Sequence, residues 1–362
     1  MTIEVFTTAK SGVEQDAPQA PTTMSVAVFE HYGTADQVEV RQRPVPVVGS
    51  GQLLLKTLAT TVSAADSRIR SLTVPKGYGT IMRLMFGISR PRLAARVLGT
   101  EMVGEVVAIG EGVGESACGG TSAAASGYKV GDIVVAYSGS KLGCHSGYRL
   151  FDADAALIPK PAGLSVEEAA AMSFGGLTAM DFLINKGGLQ AGQSVLVIGA
   201  AGAVGSAAVQ IASHYGAKVT AVCSAANLEL VKQLGAEQVI DYQQHDPLDG
   251  SQQYDLIFDA VGGRGIQSLE QSLADNGKAL LVVADMPLQL RAAFYRGARN
   301  TRLIAGVASE QREALQQLGK LVADGGYRPV IGHRFGVGQI RQAHQLVDSG
   351  HKRGNCVVSF CQ

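Results

Sequence analysis

The sequence predicts a doubly wound parallel α/β sheet joined to a β-rich unit, and three observations predict it. Beyond residue 159, the β-type runs SVLVIGA, KVTAVCS, QVIDY, YDLIFDAVG, KALLVVA and RLIAGVA alternate with helix-length segments. That rhythm belongs to a parallel sheet covered by helices on both faces. The first of these runs leads into a glycine-rich turn and then an amphipathic stretch. Earlier in the chain, QLLLKTLATTVSA, GEVVAIG and KVGDIVVAY are short β-type runs punctuated by glycine and proline.

The elements follow in order. A chain of 362 residues is long for one core, so two domains are expected, one of them split in sequence. Residues 1–23 are polar, with Pro18 and Pro21 near their end, and read as a flexible N-terminal extension. Residues 24–157 form the first part of the β-rich unit. Two segments interrupt it. Residues 72–98 mix Met82, Leu84, Met85 and Phe86 with Arg83, Arg90, Arg92 and Arg96; the short amphipathic length, broken by Gly87 and Pro91, favours a pocket lid or partner-facing helix over a membrane anchor. Residues 115–127 are small and polar and read as a flexible loop without chemistry. Residues 158–308 carry the parallel sheet, in which Val204, Ala208, Ile211, Ala212 and Tyr215 mark one face of a helix. Residues 309–362 hold one more helix and a closing β-type run, expected to return to the β-rich unit.

Charge narrows the function classes. Lys plus Arg and Asp plus Glu stand at 31 each, so bulk charge provides no footprint for nucleic acid or an anionic membrane. No basic-flanked apolar leader and no run of about 18 apolar residues is present, which predicts a cytoplasmic protein without a membrane span. Cys118, Cys144, Cys223, Cys356 and Cys361 are scattered, without the paired spacing of a structural zinc or a disulfide framework.

The turn reads Gly199-Ala200-Ala201-Gly202-Ala203-Val204-Gly205, an A-x-G-x-x-G form of the dinucleotide fingerprint. Backbone N–H groups at the helix start can receive a pyrophosphate, Gly202 lets the backbone approach it, and Gly205 lets helix and strand pack. The end of the next strand reads Cys223-Ser224-Ala225-Ala226-Asn227, without the carboxylate that binds an NAD ribose. Its absence permits NADPH, with NADH the lesser expectation, and Ser224 and Asn227 are candidate donors to the 2′-phosphate.

Together with TTVSAADSRIR, LGTEMVGEVVAIGEGV, KVGDIVVAY, GGLTAMDFL, LGAEQVIDY, YDLIFDAVGG and HKRGNCVV, this turn resembles the medium-chain dehydrogenase/reductase superfamily, within it the zinc-independent quinone oxidoreductase (zeta-crystallin-like) branch. The resemblance spans nearly all of residues 24–360. It implies a GroES-like catalytic domain built from both chain ends, a Rossmann domain between them, a cleft where nicotinamide meets substrate, and a homodimer. Position by position, Thr178 resembles the threonine near the nicotinamide and phosphates, and Gly202, Ala203 and Val204 the pyrophosphate turn. Tyr242 resembles the tyrosine beside the adenosine 2′-phosphate, Val261 and Gly262 the strand end under the nicotinamide ribose, and Lys352 and Arg353 the basic pair that reaches the cofactor from the other domain.

The departures are equally informative. Where the superfamily's zinc enzymes carry G-H-E, this chain has Gly99-Thr100-Glu101; SAADSRIR lacks a cysteine ligand, and Phe174 stands near the remaining ligand position. A catalytic zinc needs about three protein ligands, so none is expected. The branch's pocket asparagine and tyrosine are replaced by Ser63 and Arg68, and the lysine near the fingerprint by Asn227. Without a metal, a conjugated acceptor is the expected substrate, because its charge delocalises onto oxygen and positioning plus one or two hydrogen bonds suffice. Candidate donors are Ser63, Asp66, Arg68 and His145, the last beside a pocket-lining Cys144. The expected activity is NADPH-dependent hydride transfer to a quinone or α,β-unsaturated carbonyl, and the expected partner is a small-molecule acceptor: a quinone, an enone or an aldehyde. An alcohol dehydrogenase with unconventional ligands and a catalytically idle binding protein stay open as alternatives.

Overall fold

A computed structural model describes residues 21–113 and 127–360. Most of the extension read over 1–23, and the loop read over 115–127 apart from Gly127, lie outside the described residues.

The first half supplies β1 (Thr23–Val28), β2 (Glu39–Pro44), β3 (Gln52–Val62), β4 (Glu101–Ile109), β5 (Ile133–Tyr137), β6 (Tyr148–Asp152) and β7 (Ala156–Pro159), with two short helices, α1 (Ala64–Ser71) and α2 (Gly79–Phe86), between β3 and β4. α3 (Val166–Ala170) and α4 (Ser173–Met180) follow, and α4 runs on into a wider π-helical turn over Asp181–Lys186. The central stretch alternates β8 (Ser194–Ile198), α5 (Ala203–His214), β9 (Lys218–Cys223), α6 (Leu228–Gln233), β10 (Gln238–Asp241), β11 (Tyr254–Asp259), α7 (Ile266–Gln271), β12 (Leu273–Leu281), α8 (Met286–Phe294) and β13 (Arg302–Ala305). α9 (Arg312–Ala323), β14 (Ile331–Gly336), α10 (Ile340–Asp348) and β15 (Asn355–Ser359) close the chain.

β8 to β13 form one six-stranded sheet in the order β10-β9-β8-β11-β12-β13, with every pairing parallel. The fold class is as expected. Alternation along the strands explains why both faces are covered: Val195 and Val197 of β8 enter one core with Leu256 and Phe258 of β11. Leu196, Ile198 and Ile257 enter the opposite core. α5 packs Ala207, Ala208, Ile211 and Ala212 inward, whereas Tyr215, expected on the same face, is exposed at the helix C-cap because the helix has ended at His214. Chain order reverses between β8 and β11, and in such sheets the crevice at the carboxyl ends beside that reversal is where ligands bind.

The second sheet has the order β14-β15-β3-β4-β5-β7, with β6 also on β3. Strand β3 is its hub, pairing antiparallel with β4, β6 and the terminal strand β15. Its neighbour SAADSRIR is helical: Ser63 and Asp66 form a reciprocal capping box at the start of α1. Among the described residues no helix is long and apolar enough to cross a membrane.

One buried cluster in this half is polar. His145 and His344 are fully buried with rings edge to face, centroids 5.5 Å apart. Among the described residues, neither ring nitrogen of His344 has a hydrogen-bond partner. Burial, then the neighbouring His145 and Arg70, hold the His344 pKa well below the ordinary histidine range. A histidine kept neutral when folded contributes stability that is present above its unfolded pKa of ~6.5 and is lost as pH falls below it. His344→Leu, which removes two unpaired polar atoms from the core, should therefore match or exceed the parent in stability near pH 7.5. Its advantage should widen on acidification by up to about 1.4 kcal/mol per pH unit. Denaturant unfolding of both proteins between pH 7.5 and 5 checks this; parallel pH curves would refute it.

Candidate functional site

The turn at the end of β8 is shaped by close backbone approaches. Gly199 sits at φ +80°, and a Cβ there would lie 2.7 Å from Val261 Cγ2 across the strand reversal. A Cβ on Gly205 would come within 2.1 Å of the Gly199 carbonyl oxygen. α5 is thereby drawn tight against β8. α4 meets the same turn, with Gly175 so close that a Cβ would lie 2.6 Å from the Ala203 oxygen. Gly202 is the N-cap of α5 and, having no side chain, leaves the first-turn N–H groups without a cap. A Cβ at Gly202 would meet only the Gly199 oxygen, at 3.5 Å. Uncapped donors, a positive helix end and open space above Gly202 fit the pyrophosphate of a dinucleotide.

The rest of the cleft is held by side chains spending their hydrogen bonds on backbone. Asp259, buried at the end of β11, accepts the N–H groups of Val261 and Gly262, both at 2.9 Å, and so fixes the strand end beside Gly199. From the other sheet the C-terminal segment reaches across: the Gly354 N–H donates to the Ala201 oxygen at 2.8 Å, a bridge that brings Gly354 beside Gly202. Lys352, two residues earlier, is half-buried, donates to the Gly354 oxygen at 2.7 Å and forms no ion pair among the described residues. Burial lowers its pKa. Arg353 is exposed.

Glu101 is a site residue that sequence reasoning left without a role. Fully buried on β4, it accepts the Thr61 hydroxyl at 2.6 Å and the N–H groups of Ser173 and Phe174 at 2.9 and 2.7 Å. It thus caps α4 across the boundary between the two sheets, and burial raises its pKa to about 7. Nothing local announces this, because its partners lie 72 and 73 positions away.

The structure divides the expected donors. Ser63 and Asp66 are buried; Asp66 Oδ2 accepts the Ser63 N–H and hydroxyl, and Oδ1 accepts the Gly99 N–H at 2.8 Å. His145 is buried with Nε2 2.8 Å from the Thr61 oxygen, and its ring lies where a Cβ on Gly99 would stand. These hydrogen bonds link residues 61–66 with Gly99 and His145. Arg68 is half-buried, its pKa lowered by desolvation, with no ion pair among the described residues. Cys144 is wholly buried, and its thiol is pushed up to about 12 by that burial.

At the far end, Asn227 Nδ2 donates to Ser224 Oγ at 3.1 Å, and Tyr242 is 48% exposed beside them, its N–H on the Cys223 oxygen. Asp241 is buried and accepts the Gln243 N–H, so this carboxylate is engaged within its own turn. Thr178 lies nearly buried on α4, its hydroxyl donating to the Phe174 oxygen at 2.7 Å.

Comparisons with known proteins agree with this geometry. The family model for zinc-binding dehydrogenases matches residues 234–358. The chain is 28% identical to the chloroplast envelope quinone oxidoreductase homolog of Arabidopsis thaliana over 339 residues, covering 90% of this chain and 95% of that protein. It is likewise 28% identical to 2-methylene-furan-3-one reductase of Solanum lycopersicum, over 93% of this chain and 79% of that one. Among solved structures, the quinone oxidoreductase from Coxiella burnetii superposes with a TM-score of 0.78 at 28% identity, over 94% of this chain and all of that one.

Two glycines separate binding from folding. Gly202→Val should keep the parent's thermal melting within a few degrees while weakening dinucleotide affinity at least tenfold, about 1.4 kcal/mol. Gly205→Ala should lower the melting temperature clearly, since its Cβ has only backbone to displace. Titration and melting of both variants check this; unchanged affinity in Gly202→Val would remove the turn from the cofactor site.

Proposed function

Because the chain belongs to the medium-chain dehydrogenase/reductase superfamily, in its quinone oxidoreductase branch, we propose that it is an NADPH-dependent reductase of quinones and α,β-unsaturated carbonyls that works without zinc. The observation that carries this reading is the uncapped helix start at Gly202, placed at the strand reversal and closed from the other sheet by Gly354. The chemistry that a nicotinamide cofactor supplies when bound there is transfer of a hydride.

The protein's residues bind and orient. The N–H groups of Ala203, Val204 and Gly205 would hold the pyrophosphate, with Lys352 and Arg353 adding charge from the opposite side. Thr178, Val261 and Gly262 would line the nicotinamide half. Ser224, Asn227 and Tyr242 would meet the adenosine phosphate; Ser224 and Asn227 already hydrogen-bond each other and can turn their remaining donors outward. Glu101 positions α4, and with it Thr178, against the turn. Arg68, desolvated and without an acidic partner, is the group we assign to the acceptor oxygen, where negative charge grows as the bond order shifts.

Zinc independence rests on the chemistry of the donor set. Thr100 and Phe174 offer no ligating side chain at two of the expected ligand positions, and Glu101 already accepts three hydrogen bonds. Free buried thiols at Cys144, Cys223 and Cys356 support a reducing, cytoplasmic setting. A homodimer is supported by the open edge of β13, beside which Leu290 and Phe294 of α8 are exposed.

Following NADPH oxidation over quinones, enones and simple aldehydes tests the reading: turnover should be confined to the conjugated acceptors, and titration should give tighter binding of NADPH than of NADH. Equal or reversed affinities would remove the phosphate site, and turnover of simple aldehydes alone would favour an alcohol dehydrogenase. Exhaustive chelation should leave the rate unchanged; loss of activity restored by zinc would overturn the metal-free mechanism.

A further inference from the structure

The surface around α2 combines two properties that a globular protein rarely leaves together. Ile81, Leu84, Met85, Ile88 and Leu93 are exposed, with Leu84, Ile88 and Leu93 at 58%, 68% and 74%. The display is built rigidly. Phe86 is buried beneath it with Phe29, Ile69, Ala95, Leu98 and Leu142. The chain beyond the helix is folded back by Arg83 on the Ile88 oxygen at 2.5 Å, Arg92 on the Leu84 oxygen at 2.7 Å, and Tyr32 on the Gly87 oxygen at 2.8 Å. The exposed apolar side chains therefore extend past the end of an eight-residue helix onto an ordered loop.

Charge sets the identity of what this face meets. Between Asp66 and Glu101 the chain carries Arg68, Arg70, Lys76, Arg83, Arg90, Arg92 and Arg96 and no acidic residue. Arg70 and Arg96 pair with Asp348 and Glu30, whereas Lys76, Arg83, Arg90 and Arg92 form no ion pair among the described residues. In a chain with equal numbers of acidic and basic residues, this is a segregated positive field around an apolar centre. A second copy would set arginine against arginine. The large exposed side chains are aliphatic or thioether, without the tyrosine or tryptophan anchors typical of protein interfaces. Aliphatic side chains flanked by arginines suit the boundary between headgroups and acyl chains of an anionic bilayer, where the arginine stems extend along the apolar surface and their heads meet phosphate.

We propose that the face formed by α2 and residues 87–93 docks the protein reversibly on an anionic lipid surface. The segment leading into α2 is tied across the cleft, the Met286 N–H donating to the Lys76 oxygen at 2.9 Å. Docking there sets the rim of the cofactor cleft beside the bilayer, so that a lipid-dissolved quinone or enone reaches it without crossing water; only this last consequence rests on the reductase reading.

Co-sedimentation of the whole chain with phosphatidylcholine vesicles, with and without phosphatidylglycerol, tests it. The expected result is binding to the anionic vesicles alone, at least tenfold stronger at low salt than at high salt. Leu84→Asp combined with Ile88→Asp should abolish binding, and Arg90→Glu should weaken it and flatten its salt dependence, with melting temperature and NADPH oxidation of a soluble quinone at parent levels in both. Absence of binding to anionic vesicles, equal binding to both kinds, or parent-like binding by the Leu84/Ile88 variant would overturn the proposal. A change in oligomeric state on the same substitutions would overturn it in favour of a contact between copies. Because the quinone assay is run without lipid, failure of docking and failure of the reductase reading are seen separately.

Discussion

The glycine-rich turn after β8 depends on backbone contacts that leave no room for a side chain at Gly175 and Gly205. β8, α4 and α5 converge on residues 199–205, and at Gly175 and Gly205 the neighbouring carbonyl stands where a Cβ would be. Close packing of this kind converts a flexible glycine-rich segment into a fixed array of N–H donors, because no neighbour can move without displacing another. Glu101 and Gly354 then attach the second sheet to the same array, one through the start of α4 and the other through the Ala201 oxygen.

Much of this was readable in the sequence, for identifiable reasons. β8 is a nearly continuous apolar run, and the turn, N-cap and helix of the fingerprint are contiguous, so local pattern suffices there. Tyr215 misled because apolar periodicity does not mark where a helix stops. Ser63 and Asp66 carried a local signal in the Ser-x-x-Asp spacing of a capping box. Glu101 with Ser173, His145 with His344, and Gly354 with Ala201 are pairings between distant segments. Their residue types are ordinary, and only the fold brings them together.

Composition and local surface charge are different measures. A net charge of zero is an average over the chain, whereas partners respond to the field within about a Debye length of the surface they approach. The uninterrupted basic stretch from 67 to 100 is visible in the sequence. Its meaning depended on learning which of those cations the fold neutralises.

The pairing of β15 with β3 has a consequence for how the protein is made. Cys356 lies opposite Val62, so the hub strand waits for a partner from far along the chain before its last neighbour arrives. Until then it presents an unpaired edge, the feature most prone to wrong association. The same segment carries Gly354 to the glycine-rich turn at Gly202. A ribosome-bound chain can therefore complete every strand of the parallel sheet and still lack the segment that reaches across to Gly202.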